Sequence, residues 1–314
     1  MTLTDAQLQV IVEHALPGTR LREASALADD RYRLMLVGGE RLHVQTFASG
    51  DAALTMATAL RQLLAEVDLP IPQLRASDPN GTVVGQPYVL CGELAGEPLE
   101  QALPRIGEEQ LYALGRRIGE VLYRVHRLVC AGYGALAGGG NPTADNERDY
   151  VLARLSQELA ACDEHDLLDQ PTREELHDWF TSEFKPVSRQ AALICAGLTP
   201  RTLLVRQREG RWWLSGVLGW EHALGWSPAW DHVTFLDAAD DPQFFSLRVG
   251  YGNGYDEHTG RAYEQVREHA LTPYRLLLAL RRLHRAHADG AIAECERRRA
   301  VLHALMRSLE HAEQ

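Results

Sequence analysis

Residues 193–205 read LICAGLTPRTLLV. Two short apolar runs, LIC and LLV, flank a turn built around Gly197, Thr199 and Pro200, the pattern of two strand pieces joined by a loop. With RWWLSGVLGW downstream they form a β segment over 193–218 that interrupts otherwise helical sequence. Polar chemistry is sparse here. The loop offers Cys195, Gly197 and Thr202, and Gly219 follows the last strand piece.

Upstream, Thr4 and Gln7 make a capping-box pattern, and Leu8, Ile11, Val12 and Ala15 then follow helical spacing. YRLMLV and RLHVQTF around GGE read as a β-hairpin. DAALTMATALRQLLAEV is a helix ending before DLPIP, and GTVVGQPYVLCGEL supplies two more strands around a Gly/Pro turn. EEQLYALGRRIGEVLYRVHRLV places Leu111, Leu114, Ile118, Val121, Leu122 and Val125 on one buried face. GYGALAGGGNP is a loop, and helices follow near 147–162, 171–184 and from about 243 onward. The fold class is therefore α+β: a small N-terminal unit, residues 1–94, built on an antiparallel sheet, and a mainly helical unit, residues 95–314. The junction CGELAGEPLE is too short and too ordered in composition to be a flexible tether.

The chain has 314 residues, 45% of them hydrophobic, and a formal net charge of −11. That charge argues against nucleic acid as a partner, because phosphate backbones demand a basic face, and it leans toward a neutral or cationic guest. No apolar run reaches the roughly 18 residues that a membrane span requires, and MTLTDAQLQV has no apolar signal core. Five scattered cysteines without a CxxC pair read as reduced thiols, so a cytoplasmic location is expected. Lys185 is the only lysine.

In order and spacing, these segments resemble the aminoglycoside phosphotransferase and choline kinase family, which has a bilobal protein-kinase-like fold. LICAGLTPRTLLV is similar to the family's L-[VI]-H-G-D-x-x-P-x-N-[LV]-[LV]-V loop. DLPIPQL with GQPYVLCGELAGEPLE resembles the last small-lobe strand and hinge. LGRRIGEVLYRVHRL with GYGAL, and WWLSGVLGWEHALGWSPAWDHVTF, resemble two further family motifs. The resemblance covers nearly the whole chain.

The resemblance also implies what is missing. The acceptor-positioning Asp corresponds to Gly197, the metal-binding Asn to Thr202, the second metal Asp to Gly219 and the loop His to Cys195. The phosphate-contacting Lys corresponds to Gln45 and its helix Glu partner to Met56; Lys185 is too far along the chain to substitute. The phosphate-covering turn, ASALADDRY, lacks glycine and carries Asp29 and Asp30, while Arg33 or Arg41 is left as a possible phosphate contact. Phosphoryl transfer needs exactly such carboxylates and metal ligands, and a lone threonine hydroxyl is a poor magnesium anchor. No metal, no cofactor and no phosphotransferase activity are expected.

The other readings stay open at this level. Glu221, two residues past Gly219, is either a substitute metal ligand or a structural acid. Cys195 is either a nucleophile beside His126, His222 or His232, or a buried thiol. His126 and Asp231 read as structural supports of the loop, and His284 with His287 as a metal pair or a solvated face. Trp212, Trp213, Trp220, Trp226 and Trp230 form an aromatic set: Trp213 and Trp220 are expected in the core, and Trp226 and Trp230 as core or pocket wall. The C-terminal amphipathic stretch packs on the lobe or on a second subunit. The leading expectation is a pseudokinase binding a small molecule or a protein partner in or near the interlobe cleft, with Glu221, His222, Trp226 and Trp230 as ligand contacts. The alternatives are a repurposed enzyme doing metal-free, ATP-independent chemistry in a biosynthetic pathway, and a divergent small-molecule kinase using Glu221 with Asp237, Asp240 and Asp241.

Overall fold

The computed structural model describes residues 2–65, 69–136, 144–259 and 267–312. The end of the helix expected over 51–67 and part of the Gly-rich loop over 132–142 lie outside these residues. Helix α1 (Asp5–Ala15) starts with the anticipated capping box, Gln7 N–H donating to Thr4 Oγ1 at 3.3 Å and Thr4 N–H to Gln7 Oε1 at 3.0 Å. Strands β1 (Leu21–Ala28), β2 (Arg31–Leu36) and β3 (Arg41–Thr46) lead to helix α2 (Gly50–Leu63), then β4 (Leu74–Asp78) and β5 (Tyr88–Gly92). All pairings in this five-stranded sheet are antiparallel, in the order β1-β2-β3-β5-β4. Alternation along β5 sets the two faces. Tyr88 and Leu90 pack with Leu8, Ile11 and Val12 of α1, whereas Val89 and Cys91 join the cluster containing Met56 and Leu60 of α2.

Two details differ from expectation. The segment ASALADDRY is not a loose turn: Ala28 pairs with Arg31, leaving Asp29 and Asp30 as a two-residue hairpin turn between β1 and β2. The strand before β5 is Leu74–Asp78 and not the GTVV segment. The buried Asp78 carboxylate accepts from Val83 N–H at 2.7 Å and from the Thr82 hydroxyl, and Gly81 takes a left-handed φ of 65°, so those residues fold into a turn.

After Gly92 the chain enters β6 (Glu97–Pro98), then α3 (Leu99–Ala102), α4 (Glu108–His126), β7 (Gly134–Ala135), α5 (Glu147–Glu164), α6 (Gln170–Glu183) and β8 (Ala192–Ile194). Next come β9 (Leu203–Arg208), β10 (Arg211–Val217), a 3-10 turn (Trp220–His222), β11 (Leu224–Trp226) and α7 (Pro228–Ala238), so helix resumes before residue 243. Helices α8 (Phe245–Thr259), α9 (Arg267–Ala288) and α10 (Ile292–Ala312) complete the chain. The product is a bilobal protein-kinase-like α+β fold with an antiparallel-sheet N-lobe and a mainly helical C-lobe. The face read from α4 is buried throughout: Leu111, Leu114, Ile118, Val121, Leu122 and Val125. Their cluster also takes in α2, β5, β9 and Trp220, so one apolar core crosses between the lobes. At about 1.5–3 kcal/mol for each fully buried large apolar side chain, that shared core holds the two lobes in a defined relation. Trp213 corrects another expectation: it is 53% exposed, because its neighbour Trp212 takes the inward position on β10.

Candidate functional site

The 195–202 loop is held from below by α7. Ser227 caps that helix and Pro228 begins it, which places Asp231 in the first turn facing the loop. Asp231 is fully buried, and its carboxylate accepts from Cys195 N–H at 2.8 Å and Ala196 N–H at 2.7 Å. His126 Nε2 lies 3.2 Å from the same carboxylate, and its Nδ1 lies 2.9 Å from the Tyr255 hydroxyl. A carboxylate only accepts, so Nε2 donates to Asp231, while Nδ1 and the Tyr255 hydroxyl share the second bond. This grip holds Ala196 at φ 58°, a left-handed conformation that costs a residue with a Cβ about 1–2 kcal/mol.

Within the loop, the Thr202 hydroxyl is fully engaged: it accepts from Thr199 N–H at 3.0 Å and lies 3.0 Å from Thr199 O and 3.3 Å from Gly197 O. Gly197 faces His222; a Cβ at position 197 would stand 3.2 Å from the His222 ring. Gly219 has φ 92°, and a Cβ there would meet Thr202 at 3.4 Å and the Cys195 sulfur at 3.7 Å. Cys195 itself is buried, and burial, with the Asp231 charge adding to it, pushes its thiol well above the usual range. A thiol so placed stays protonated and is a poor nucleophile.

Gln45 and Met56 are both buried on the N-lobe side. Helix α2 packs on the Trp220–His222 turn, and Met56 and Trp220 share one core cluster. Glu221, in that turn, points to the N-lobe: Arg31 and Gln45 both donate to its Oε1 at 3.4 Å. Arg33 is paired with Glu93, and Arg41 lies 4.0 Å from the same acid. The other acids weighed as substitute ligands are also occupied, Asp237 by Arg282 and Arg298, Asp240 by Arg248, and Asp241 as an N-terminal cap for Gln243. Among the described residues, no group of three His, Cys, Asp or Glu side chains is arranged to hold a metal ion.

A cavity of about 530 Å³ opens on the C-lobe side of this loop, with Ala196, Gly197, Thr199, His222 and Trp230 on one wall. Helix α5 contributes Gln157, Glu158 and Ala161, and α9 supplies the opposite wall from Leu278 to Ala288. Of the four ligand-contact candidates, His222 and Trp230 therefore meet at this cavity. Trp226 is buried and stacks on Trp230 with ring centroids 4.6 Å apart, its edge side taken by Tyr150 at 4.9 Å. Glu221 belongs to the contact between the lobes. His284 lines the cavity and stacks on His165, and His287 packs tilted against the same ring.

Arg281, Arg282 and Arg285 on α9 also line the cavity and are not among the residues singled out from the sequence. Their signal was present, since residues 278, 281, 282 and 285 lie at i, i+3, i+4 and i+7 on one helical face.

No helix among the described residues is long and apolar enough to cross a membrane. No curated protein matches the sequence. Among solved structures, a thermostable mutant of aminoglycoside phosphotransferase APH(4)-Ia, bound to AMP-PNP and hygromycin B, superposes with a TM-score of 0.68. It is 16% identical, with 96% of this chain and 98% of that one covered. The GDP complex of wild-type aminoglycoside 2'-phosphotransferase-IIIa gives a TM-score of 0.65 at 14% identity, covering 98% and 99%. Identities this low establish a shared fold. The model of the phosphotransferase enzyme family (APH) matches residues 20–269, most of the chain, including the 195–202 loop, the lobe contact and the cavity wall on the loop side but not the α9 wall from Leu278 to Ala288, and the chain therefore belongs to the phosphotransferase enzyme family.

Proposed function

We propose that the chain is a pseudokinase of this family, which binds a small molecule beside the former catalytic loop without transferring phosphate. One observation carries the reading. At the positions that correspond to the family's acceptor and metal ligands there are two glycines and one hydroxyl, and that hydroxyl is bonded inside its own loop. These residues do not fit a magnesium-bound triphosphate, which needs hard oxygen ligands in octahedral geometry, so no phosphoryl-transfer step is derived through them. The buried, protonated Cys195 thiol disfavours a repurposed enzyme with a cysteine nucleophile. The cavity favours a small-molecule guest over a purely surface-bound protein partner, since its volume lies within the range of about 300–1,000 Å³ typical of ligand pockets. Five unpaired cysteines support assignment to a reducing compartment, the cytoplasm.

The test is titration calorimetry with ATP, with and without magnesium, alongside an ATP-hydrolysis assay. Neither magnesium-dependent binding nor turnover above background is expected. Micromolar, magnesium-dependent binding that disappears in Glu221→Gln would replace this reading with that of a divergent kinase.

A further inference from the structure

The cavity beside Gly197 has a charge opposite to that of the whole chain. Glu158 is its one carboxylate, and that acid pairs with Arg154 at 3.1 Å. Arg282 is paired with Asp237. Arg281 and Arg285 remain, both lining the cavity and neither in an ion pair among the described residues. They sit one turn apart on α9, a spacing that sets the two side chains side by side on one helical face toward the same cavity. Arg281 also lies over the Trp230 ring, its guanidinium carbon 6.0 Å from the ring centroid, so its plane is backed by an aromatic face.

We infer that this cavity takes a small organic anion, a molecule whose carboxylate or phosphate group is held by Arg281 and Arg285 while its body rests against Trp230 and Leu278. Guanidinium forks match the planar oxygens of such groups bidentately, and no bound metal is needed to neutralise them. Arg281 is partly withdrawn from water, and burial together with the nearby Arg154 charge lowers its proton affinity. Glu158 offsets this only in part, and its carboxylate is paired with Arg154, so an anion arriving at that point adds a counter-charge that Arg281 lacks in any ion pair among the described residues. The opposite guest, an amine-rich cation, would face two unpaired guanidinium groups across the same cavity.

The inference rests on the pseudokinase reading but can fail separately from it. Calorimetric titration of the full chain uses citrate as the carboxylate probe, inorganic pyrophosphate as the phosphate probe and kanamycin as the cationic control. Saturable one-to-one binding of at least one anion is expected, weakened about tenfold or more in Arg281→Gln and in Arg285→Gln, with no kanamycin binding. Arg285 is exposed, so its variant tests the idea even if Arg281→Gln folds poorly. Binding of neither anion, anion binding that both variants retain, or preferential binding of kanamycin would overturn the inference. Magnesium-dependent ATP turnover in the parental chain would instead remove the pseudokinase reading, whatever the anion titrations give.

Discussion

Replacing Asp231 with alanine removes the acceptor on which the 195–202 loop is hung. Two buried backbone N–H groups, at 2.8 and 2.7 Å, and one imidazole nitrogen at 3.2 Å lose their partner. Each orphaned buried donor costs about 1–3 kcal/mol. Part of that is recovered, because the loop can relax and Ala196 can leave its left-handed conformation. The expected loss is about 3–4 kcal/mol, a large share of the roughly 5–15 kcal/mol that holds a typical domain together. Asp231→Asn keeps one acceptor oxygen but turns an NH₂ group toward a second donor, so about half of that loss is expected. Urea unfolding followed by tryptophan fluorescence reads both variants, since Trp220, Trp226 and Trp230 are fully or almost fully buried. The midpoint should fall in the order parent, Asn, Ala with an unchanged slope. Two variants within about 0.5 kcal/mol of the parent would refute the argument, because surface substitutions without consequence occupy that range.

Two further predictions concern the frame around the site. His43 on β3 has its proton affinity lowered by burial first and by Arg31 next; the unfolded chain therefore takes up a proton near the ordinary value of about 6.5 that the folded chain refuses. Stability should decline as pH falls through that value and level off below the lowered folded one, and His43→Gln should flatten this part of a stability-against-pH curve. Helices α4 and α8 meet through glycines: a Cβ at Gly250 would lie 2.1 Å from Tyr112 O, and one at Gly115 2.1 Å from Leu247 O. Gly250→Ala should cost about 2–3 kcal/mol in urea unfolding, and a neutral result would mean that the helices are not in backbone contact.

Legibility in the sequence followed apolar periodicity. The β2–β3 hairpin, the buried stripe of α4 and the alternation along β5 were readable because each element has one face in a core. Strand β1 was not, because it is an edge strand and six of its eight residues are exposed, so LREASALA carries no apolar rhythm. The GTVV segment looks like a strand by composition, but a side chain outside it, Asp78, folds it into a turn. Helix α8 lies within the helical stretch expected from about 243 onward although Gly250, Gly252 and Gly254 depress its helix propensity; contact with α4 overrides that local preference. The loop positions were found through their neighbours, Pro200 and the LLV run, and not through their own chemistry. Arg281 and Arg285 were passed over because charges on a helix usually mark its solvated side, whereas here that side opens onto the cavity.

On the reading proposed above, Gly197, Thr202 and Gly219 stand where family ligands would be, and their coupling to their surroundings bears on how such a site could be reversed. Restoring an acid at position 197 would press its first carbon to 3.2 Å from His222, and an acid at 219 would be forced into a φ of 92° with Thr202 and the Cys195 sulfur close by. Thr202 would have to give up the bonds that close its own loop before it could face a ligand. Glu221 would have to leave Arg31 and Gln45, and with them a polar tie between the lobes. Each reversal therefore strains a contact that now serves packing or loop closure, so single back-substitutions are expected to destabilise without creating a metal site. On the reading proposed above, the loop has become the wall of a cavity. A cavity needs a rigid, satisfied wall, whereas phosphoryl transfer needs free oxygen ligands, and the same few residues cannot meet both demands.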